Sequence, residues 1–226
     1  MKMKFGAIVI DGRGKIGGHV ASKNRSCAYL RTKVTPVNGR TSFQQNVRNI
    51  FGSIAQAWRG LTQGQRDAWN AAVADFAKTD IFGDLRNPSG ISLFQKLNNN
   101  LLQSGEDLIT VPPAPTAVGI CSVVEVTSLL GVLMLTTSGA CPANSLLKIS
   151  ATPQLSVGKS FVKNSLRTLG YVDTDFSAGA SIEAIYAEKF GTSSVKTGKI
   201  TVQVTVINTI TGQAGVPSEG YFIVLD

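Results

Sequence analysis

The residues Gly12-Arg13-Gly14-Lys15-Ile16-Gly17 follow the apolar run Ala7 to Ile10 and match the spacing G-x-G-x-x-G, with which a strand–turn–helix unit holds a dinucleotide. That chemistry needs a helix whose first amides meet the pyrophosphate, and an acid about 20 residues further on for the ribose. Residues 19 to 31 show no helical stripe, and no acid lies between Asp11 and Asp67. A Walker-type phosphate loop fails too, because Lys15 is not preceded by G-x-x-x-x-G and is followed by Ile16 in place of Ser or Thr. His19 is the one histidine, so any Ser- or Cys-nucleophile would depend on it as base. It sits in a Gly-rich basic stretch without a carboxylate neighbour and reads as an exposed or packed side chain. Asp173 and Asp175 flank Thr174 and read as a solvated turn, with a weak cation site as the alternative. No carboxylate pair suits glycoside hydrolysis. Cys27, Cys121 and Cys141 are widely spaced and form no CxxC, so with a single histidine there is no zinc-ligand set. Cys121 and Cys141 read as free buried thiols, with a pair across a sheet as the alternative. No catalytic residue, metal or cofactor is assigned, and the chain reads as a non-enzyme.

What remains is charge. The first 66 residues hold twelve of the 22 Lys and Arg against one acid, Asp11, while the rest of the chain is mildly acidic. The net charge of +8 thus averages a basic N-terminal third with an acidic remainder, an asymmetry that speaks of partners before it speaks of fold. With 226 residues, 43% of them hydrophobic, a real core can be buried. No apolar run is long enough to span a bilayer, and the start of the chain does not read as a signal peptide.

Four segments must position these residues. Residues 1–40 have no helical period and read as an extended basic arm, with a short strand at Phe5 to Ile10. Residues 41–110 read as a helical module. Phe43, Val47, Ile50, Phe51, Ile54 and Trp58 share one helical face, and Thr41 with Gln44 has capping-box spacing. Thr62 with Gln65 repeats the device before Ala68, Trp69, Ala72, Val73 and Phe76. Ser89 can cap a third helix bearing Leu93, Phe94, Leu97, Leu101 and Leu102. The expected product is a small three-helix module with Phe51, Trp58, Trp69, Phe76 and Phe94 in its core, the two tryptophans packed on each other. Residues 111–115 contain three prolines and read as a stiff linker. Residues 116–226 are β-rich, with strands expected at 118–126, 131–137, 146–152, 199–208 and 221–225 and a short helix within 180–189. This predicts an immunoglobulin- or fibronectin-type-III-like β-sandwich, making the whole chain α+β.

Within the arm, Arg13, Lys15, Lys23, Arg25, Arg31, Lys33 and Arg40 are interleaved with Asn24 and Tyr29. Two partners suit this mixture. An acidic protein neighbour would accept forked hydrogen bonds from arginine. Nucleic acid would present phosphates to the cations and bases to Tyr29. A tail selected for solubility alone would rarely carry Ile16, Val20, Tyr29, Leu30 and Val34.

The run Lys23-Asn24-Arg25-Ser26-Cys27-Ala28-Tyr29-Leu30-Arg31, then Pro36-Val37-Asn38, Thr41, Gln44, Arg48, and Trp58-Arg59-Gly60-Leu61-Thr62 with Arg66 and Trp69, resembles a pattern in structural proteins of tailed bacteriophages, including crAss-like phages of Bacteroidota and related prophages. The pattern is an N-R-x-G-x-Y-x-R arm, a P-x-N-P-x-T turn, then W-R-x-L-T and a second tryptophan, and the likeness covers roughly residues 12 to 105. Cys27 stands where the pattern has Gly, and Gly39 where it often has Pro. The resemblance implies a virion component, made in the host cytoplasm and assembled as a ring, neck, tail or capsid-decoration subunit. It implies other virion proteins (capsid, portal, neck or tail) and further copies of the chain as partners, with DNA contact through the basic arm as the alternative and no membrane.

Overall fold

The computed structural model describes residues 2–4, 12–24, 27–129, 132–191 and 198–224. It is α+β, with four α-helices and several antiparallel sheets among the described residues and no barrel. Two compact units are present, Met1–Asn49 with Ala77–Asn87, and Ile50–Phe76 with Pro88–Asp226. No helix among the described residues is long and apolar enough to cross a membrane.

In the first unit, strands β1 (Lys2–Met3), β2 (Gly14–Ile16), β3 (His19–Lys23) and β4 (Ala28–Thr32) form an antiparallel sheet in the order β1-β4-β3-β2. The sequence reading of residues 1–40 as an extended arm is therefore corrected for this stretch. The cause is local turn chemistry. Ile16 pairs with His19, leaving Gly17-Gly18 as a two-residue hairpin loop, and Gly17 adopts a φ of 55° that other residues resist. Asn24 closes the next turn, its N–H donating to the Cys27 carbonyl and its Oδ1 accepting from the Cys27 N–H. Arm-like character survives in residues 33–41, which are exposed and without regular structure. The strand expected at Phe5 to Ile10 lies outside the described residues. A two-stranded ribbon of β5 (Lys78–Thr79) and β6 (Leu85–Arg86) completes this unit. Lys4 forms an ion pair with Asp84 of the ribbon at 2.8 Å.

Helix α1 (Ser42–Gly60) begins where Thr41 accepts a hydrogen bond from the Gln44 N–H, and the boundary between the units falls inside it. Helix α2 (Gln63–Ala71) carries the full Thr62–Gln65 capping box and passes into a 3₁₀ turn, Ala72–Phe76. Helix α3 (Gly90–Ser104) is capped by Ser89 and closed by Gly105 in the left-handed region. Ile54, Leu61, Trp69, Leu93, Phe94 and Leu97 form a buried cluster, against which Trp58 and Phe76 pack half-buried. Each tryptophan packs on Phe94, with ring centroids at 5.3 Å for Trp58 and 5.2 Å for Trp69. Asn98 is buried and satisfied: its amide donates to the Phe94 and Ile109 carbonyls, and its oxygen accepts from the Ile109 N–H.

Two expectations fail here. Phe51 is exposed, not core, because the apolar face of α1 is longer than the elements that cover it. A separate three-helix module is not seen, because α3 is tied to the β-rich part of its own unit. Asn100 donates to the Gly212 carbonyl at 2.8 Å, and the Tyr171 hydroxyl donates to Gln103 Oε1 at 2.8 Å. Burial pushes the Tyr171 phenol up to about 12, so it remains a donor. The proline segment 111–115 is pinned as well, since Gln213 Nε2 donates to the Ala114 carbonyl and Gln213 Oε1 accepts from the Thr116 N–H.

The β-rich part holds β7 (Val123–Leu129), β8 (Val132–Thr137), β9 (Ser145–Ala151), β10 (Arg167–Val172), β11 (Ala180–Ser181), helix α4 (Glu183–Phe190), β12 (Gly198–Asn208) and β13 (Ser218–Val224). One antiparallel sheet runs β10-β9-β12-β13 and the other β11-β8-β7. Leu133 and Leu135 from the smaller sheet meet Leu147, Ile149, Val202 and Val204 from the larger in one core, closed by Phe176, Ile182 and Tyr186. Alternation along β12 buries Ile200, Val202, Val204 and Val206.

Candidate functional site

The β1-β4-β3-β2 sheet gathers the cations that the sequence singled out. Directly paired residues in an antiparallel ladder share a face, and faces alternate along each strand. The register pairs Lys15 with Val20, Val20 with Arg31, Ser22 with Tyr29, and Lys2 with Tyr29. One face therefore carries Lys2, Lys15, Val20, Ser22, Tyr29 and Arg31. Lys33 extends the ladder, its N–H donating to the Gly18 carbonyl, and so stands on the side of Arg31. The opposite face carries Ala21, Ala28 and Leu30, of which both alanines are buried, with His19 and Lys23 at exposed positions. The sheet thus has an inner face on which the buried alanines lie, with Ile16, His19 and Lys23 exposed toward its ends, and an outer face that gathers Lys2, Lys15, Arg31 and Lys33. Lys15, Arg31 and Lys33 are exposed and have no ion-pair partner among the described residues.

The other residues of the expected interaction set are dispersed. Arg13 is exposed one residue before β2. Asn24 is engaged in its turn, and Arg25 lies outside the described residues. Arg40, at a φ of 46°, stands in the exposed segment before α1, where its carbonyl accepts from Gln45 and Arg48 donates to Asn38. Sequence reasoning missed Lys2, because its pairing with Tyr29 joins residues far apart in the chain. It also missed the ion pair of Lys4, whose ammonium lies 5.2 Å from the centre of the Phe82 ring.

A second surface lies on α1. Phe43, Val47 and Phe51, spaced by four, are 47%, 37% and 54% exposed. Val47 and Phe51 leave apolar side chains at the surface that a neighbour can cover. No acid lies in α1, and Arg48 and Arg59 are its charged residues.

No family model, curated protein or solved structure matches the chain. The functional reading therefore rests on these surfaces. Among the described residues no group of three His, Cys, Asp or Glu could hold a metal ion. Asp175 accepts from the Ser177 N–H at 2.8 Å, so its carboxylate stabilises the turn that the sequence raised as a weak cation site. His19 is exposed on the inner-face register of the basic sheet.

The three cysteines are unpaired. The Cys121 thiol donates to the Gly139 carbonyl and the Cys141 thiol to the Ser145 carbonyl. Burial, then Asp173, then Cys121 push the Cys141 thiol up to about 11. The thiolate is the nucleophile, and a thiol pushed that high holds roughly 100-fold less of it than an ordinary one. A short iodoacetamide pulse at pH 8 should leave Cys141 unlabelled in the native protein and labelled in urea, as read by peptide mass spectrometry. Equal labelling in both conditions would contradict the half-buried, protonated thiol.

Proposed function

We propose that this protein is a non-enzymatic structural component of a tailed-phage virion, a ring, neck, tail or capsid-decoration subunit that docks through its N-terminal region and α1. The observation that carries this reading is the pair of exposed apolar side chains Val47 and Phe51 on α1, which offer apolar surface for a protein neighbour to cover. The first unit adds exposed Val34, Val37, Ile81 and Leu85. Subunits of closed shells and rings commonly lock through such segments, which order on assembly. The likeness of residues 12 to 105 to virion structural proteins points the same way.

In this proposal the β-rich part is an immunoglobulin- or fibronectin-type-III-like sandwich that faces a neighbour or projects outward. Its first, second and fifth strands (β7, β8, β11) share one sheet, and its third, sixth and seventh (β9, β12, β13) share the other, in keeping with immunoglobulin order. The fourth, β10, pairs with the third, which favours the type III variant. The helices complete the docking half: Trp58, Trp69, Phe76 and Phe94 hold α2 and α3 together and steady the C-terminal half of α1.

The test is electron microscopy and protein composition of particles made without this chain, or with Val47→Ser and Phe51→Ser together. Absent or incomplete particles, or particles that exclude a variant that is folded by circular dichroism, are the expected result. Complete particles of unchanged composition would sink the proposal.

A further inference from the structure

Beyond that assembly role, the sheet register points to a second binding surface with a different ligand. We infer that the outer face of the β1-β4-β3-β2 sheet binds the phosphate backbone of double-stranded DNA without reading its sequence.

The face is defined by pairing. Lys2 and Tyr29 are neighbours on β1 and β4, while Arg31 and Lys15 flank Val20 across β4, β3 and β2. Adjacent strands are about 4.8 Å apart, so Arg31 and Lys15 stand about 10 Å from each other, and Arg31 and Lys33 stand about 7 Å apart along the chain. The cations therefore tile an area on one side of the sheet. Among the described residues of the sheet no carboxylate shares that face, and none occurs in the sequence from residue 12 to residue 66. Lys4 is spent on Asp84 and Lys23 stands on the opposite face, so neither is part of the patch.

Three chemistries could answer such a patch, and the residues separate them. An acidic protein surface is the poorest fit, because the cores of protein interfaces are depleted in lysine. Here Lys2, Lys15 and Lys33 share the face with a single half-buried valine. Single-stranded nucleic acid is bound in grooves where several aromatic rings stack successive bases. This face has one aromatic, Tyr29, whose phenol can equally donate to a phosphate. Duplex DNA presents charge over a broad convex surface, and lysine and arginine spread over a flat area meet it without any groove. The expected affinity is that of non-specific binding, dominated by counterion release.

The experiment uses the purified full chain and fluorescence polarisation with a 20-base-pair duplex, the matching single strand and poly-glutamate, at 50 and 200 mM salt. Duplex binding at 50 mM that weakens roughly 100-fold at 200 mM is expected for about four phosphate contacts. Lys15→Glu, Arg31→Glu and Lys33→Glu together should lower duplex affinity more than tenfold at 50 mM. The milder set Lys15→Gln, Arg31→Gln and Lys33→Gln should flatten the salt dependence by about three contacts. Both sets stand at exposed positions, and circular dichroism checks that they fold. Lys159→Glu with Lys163→Glu, in the other unit, should change little. No duplex binding at 50 mM would overturn the inference, as would tighter binding of the single strand or of poly-glutamate, or insensitivity to the sheet substitutions. The assay involves no particle, so its failure leaves the assembly proposal standing, and failure of the particle test leaves this one standing.

Discussion

Trp69→Ala should destabilise the second unit by about 3–5 kcal/mol, the range for deleting a large buried aromatic. The indole is fully buried, and its Nε1–H donates to the Thr110 carbonyl at 2.8 Å. It meets Phe94 edge-on, with centroids 5.2 Å apart and planes at 90°. Such a pair is worth about 0.5–1.5 kcal/mol beyond its buried area. The cluster around it is small, so few side chains can move in to fill the space, and the Thr110 carbonyl loses its donor. The loss also reaches along the chain, because Thr110 leads into the proline segment that Gln213 pins. Urea titration followed by far-UV circular dichroism measures the effect, and Trp58 remains as a fluorescent reporter. Trp69→Phe keeps a ring and loses the N–H donor, so it should cost clearly less, with about 1 kcal/mol of that cost from the hydrogen bond. A Trp69→Ala cost below 1 kcal/mol would mean that the indole is not the centre of this cluster.

How much of this was legible in the sequence depended on whether a feature was local. The helix starts were, because Thr41, Thr62 and Ser89 satisfy amides only three residues ahead. The strand β12 was, because Ile200, Val202, Val204 and Val206 alternate over its length. The N-terminal sheet was not: its strands are two to five residues long, and one of its pairings joins Lys2 to Tyr29. The Gly17-Gly18 turn was the signal that could have revealed its first hairpin. The strand β10 was hidden by a register shift between Thr168 and Gly170 and by the lack of any apolar run. For α1 the periodicity identified the apolar face correctly, but periodicity says nothing about what covers a face. Ile54 is buried by α2 and α3 while Phe51, on the same stripe, is exposed. The candidate surfaces followed the same rule. The charge bias was visible from composition, whereas the placing of Lys2, Lys15 and Arg31 on one face with Tyr29 needed the register.

Gly212→Ala should be about as damaging, for a reason that no periodicity could have disclosed. Gly212 sits in the turn after β12 with a φ of 68°, and a Cβ there would overlap the Leu97 carbonyl of α3, with the Leu101 side chain 3.1 Å away. The left-handed conformation costs an alanine about 1–2 kcal/mol. Overpacking adds about 1–3 kcal/mol, since the obstacle is helix backbone and not a flexible side-chain tip. Around the turn, Asn208 Oδ1 accepts from the Ile210 and Thr211 amides, and Asn100 donates to the Gly212 carbonyl, so the loop has little freedom to retreat. Gly105→Ala is the matched control. Its φ is 90° in the left-handed region and nothing lies within 4 Å of the added carbon, so it should show the conformational cost alone. The difference between the two variants, about 1–3 kcal/mol, isolates the docking of the turn onto α3. Hydrogen exchange distinguishes the consequences. If α3 is structurally part of the β-rich unit, Gly212→Ala should lower protection in α3 and in β12 and β13 together. Lost protection in the turn alone, with α2 and α3 unchanged, would mean that the helices fold as an independent module after all.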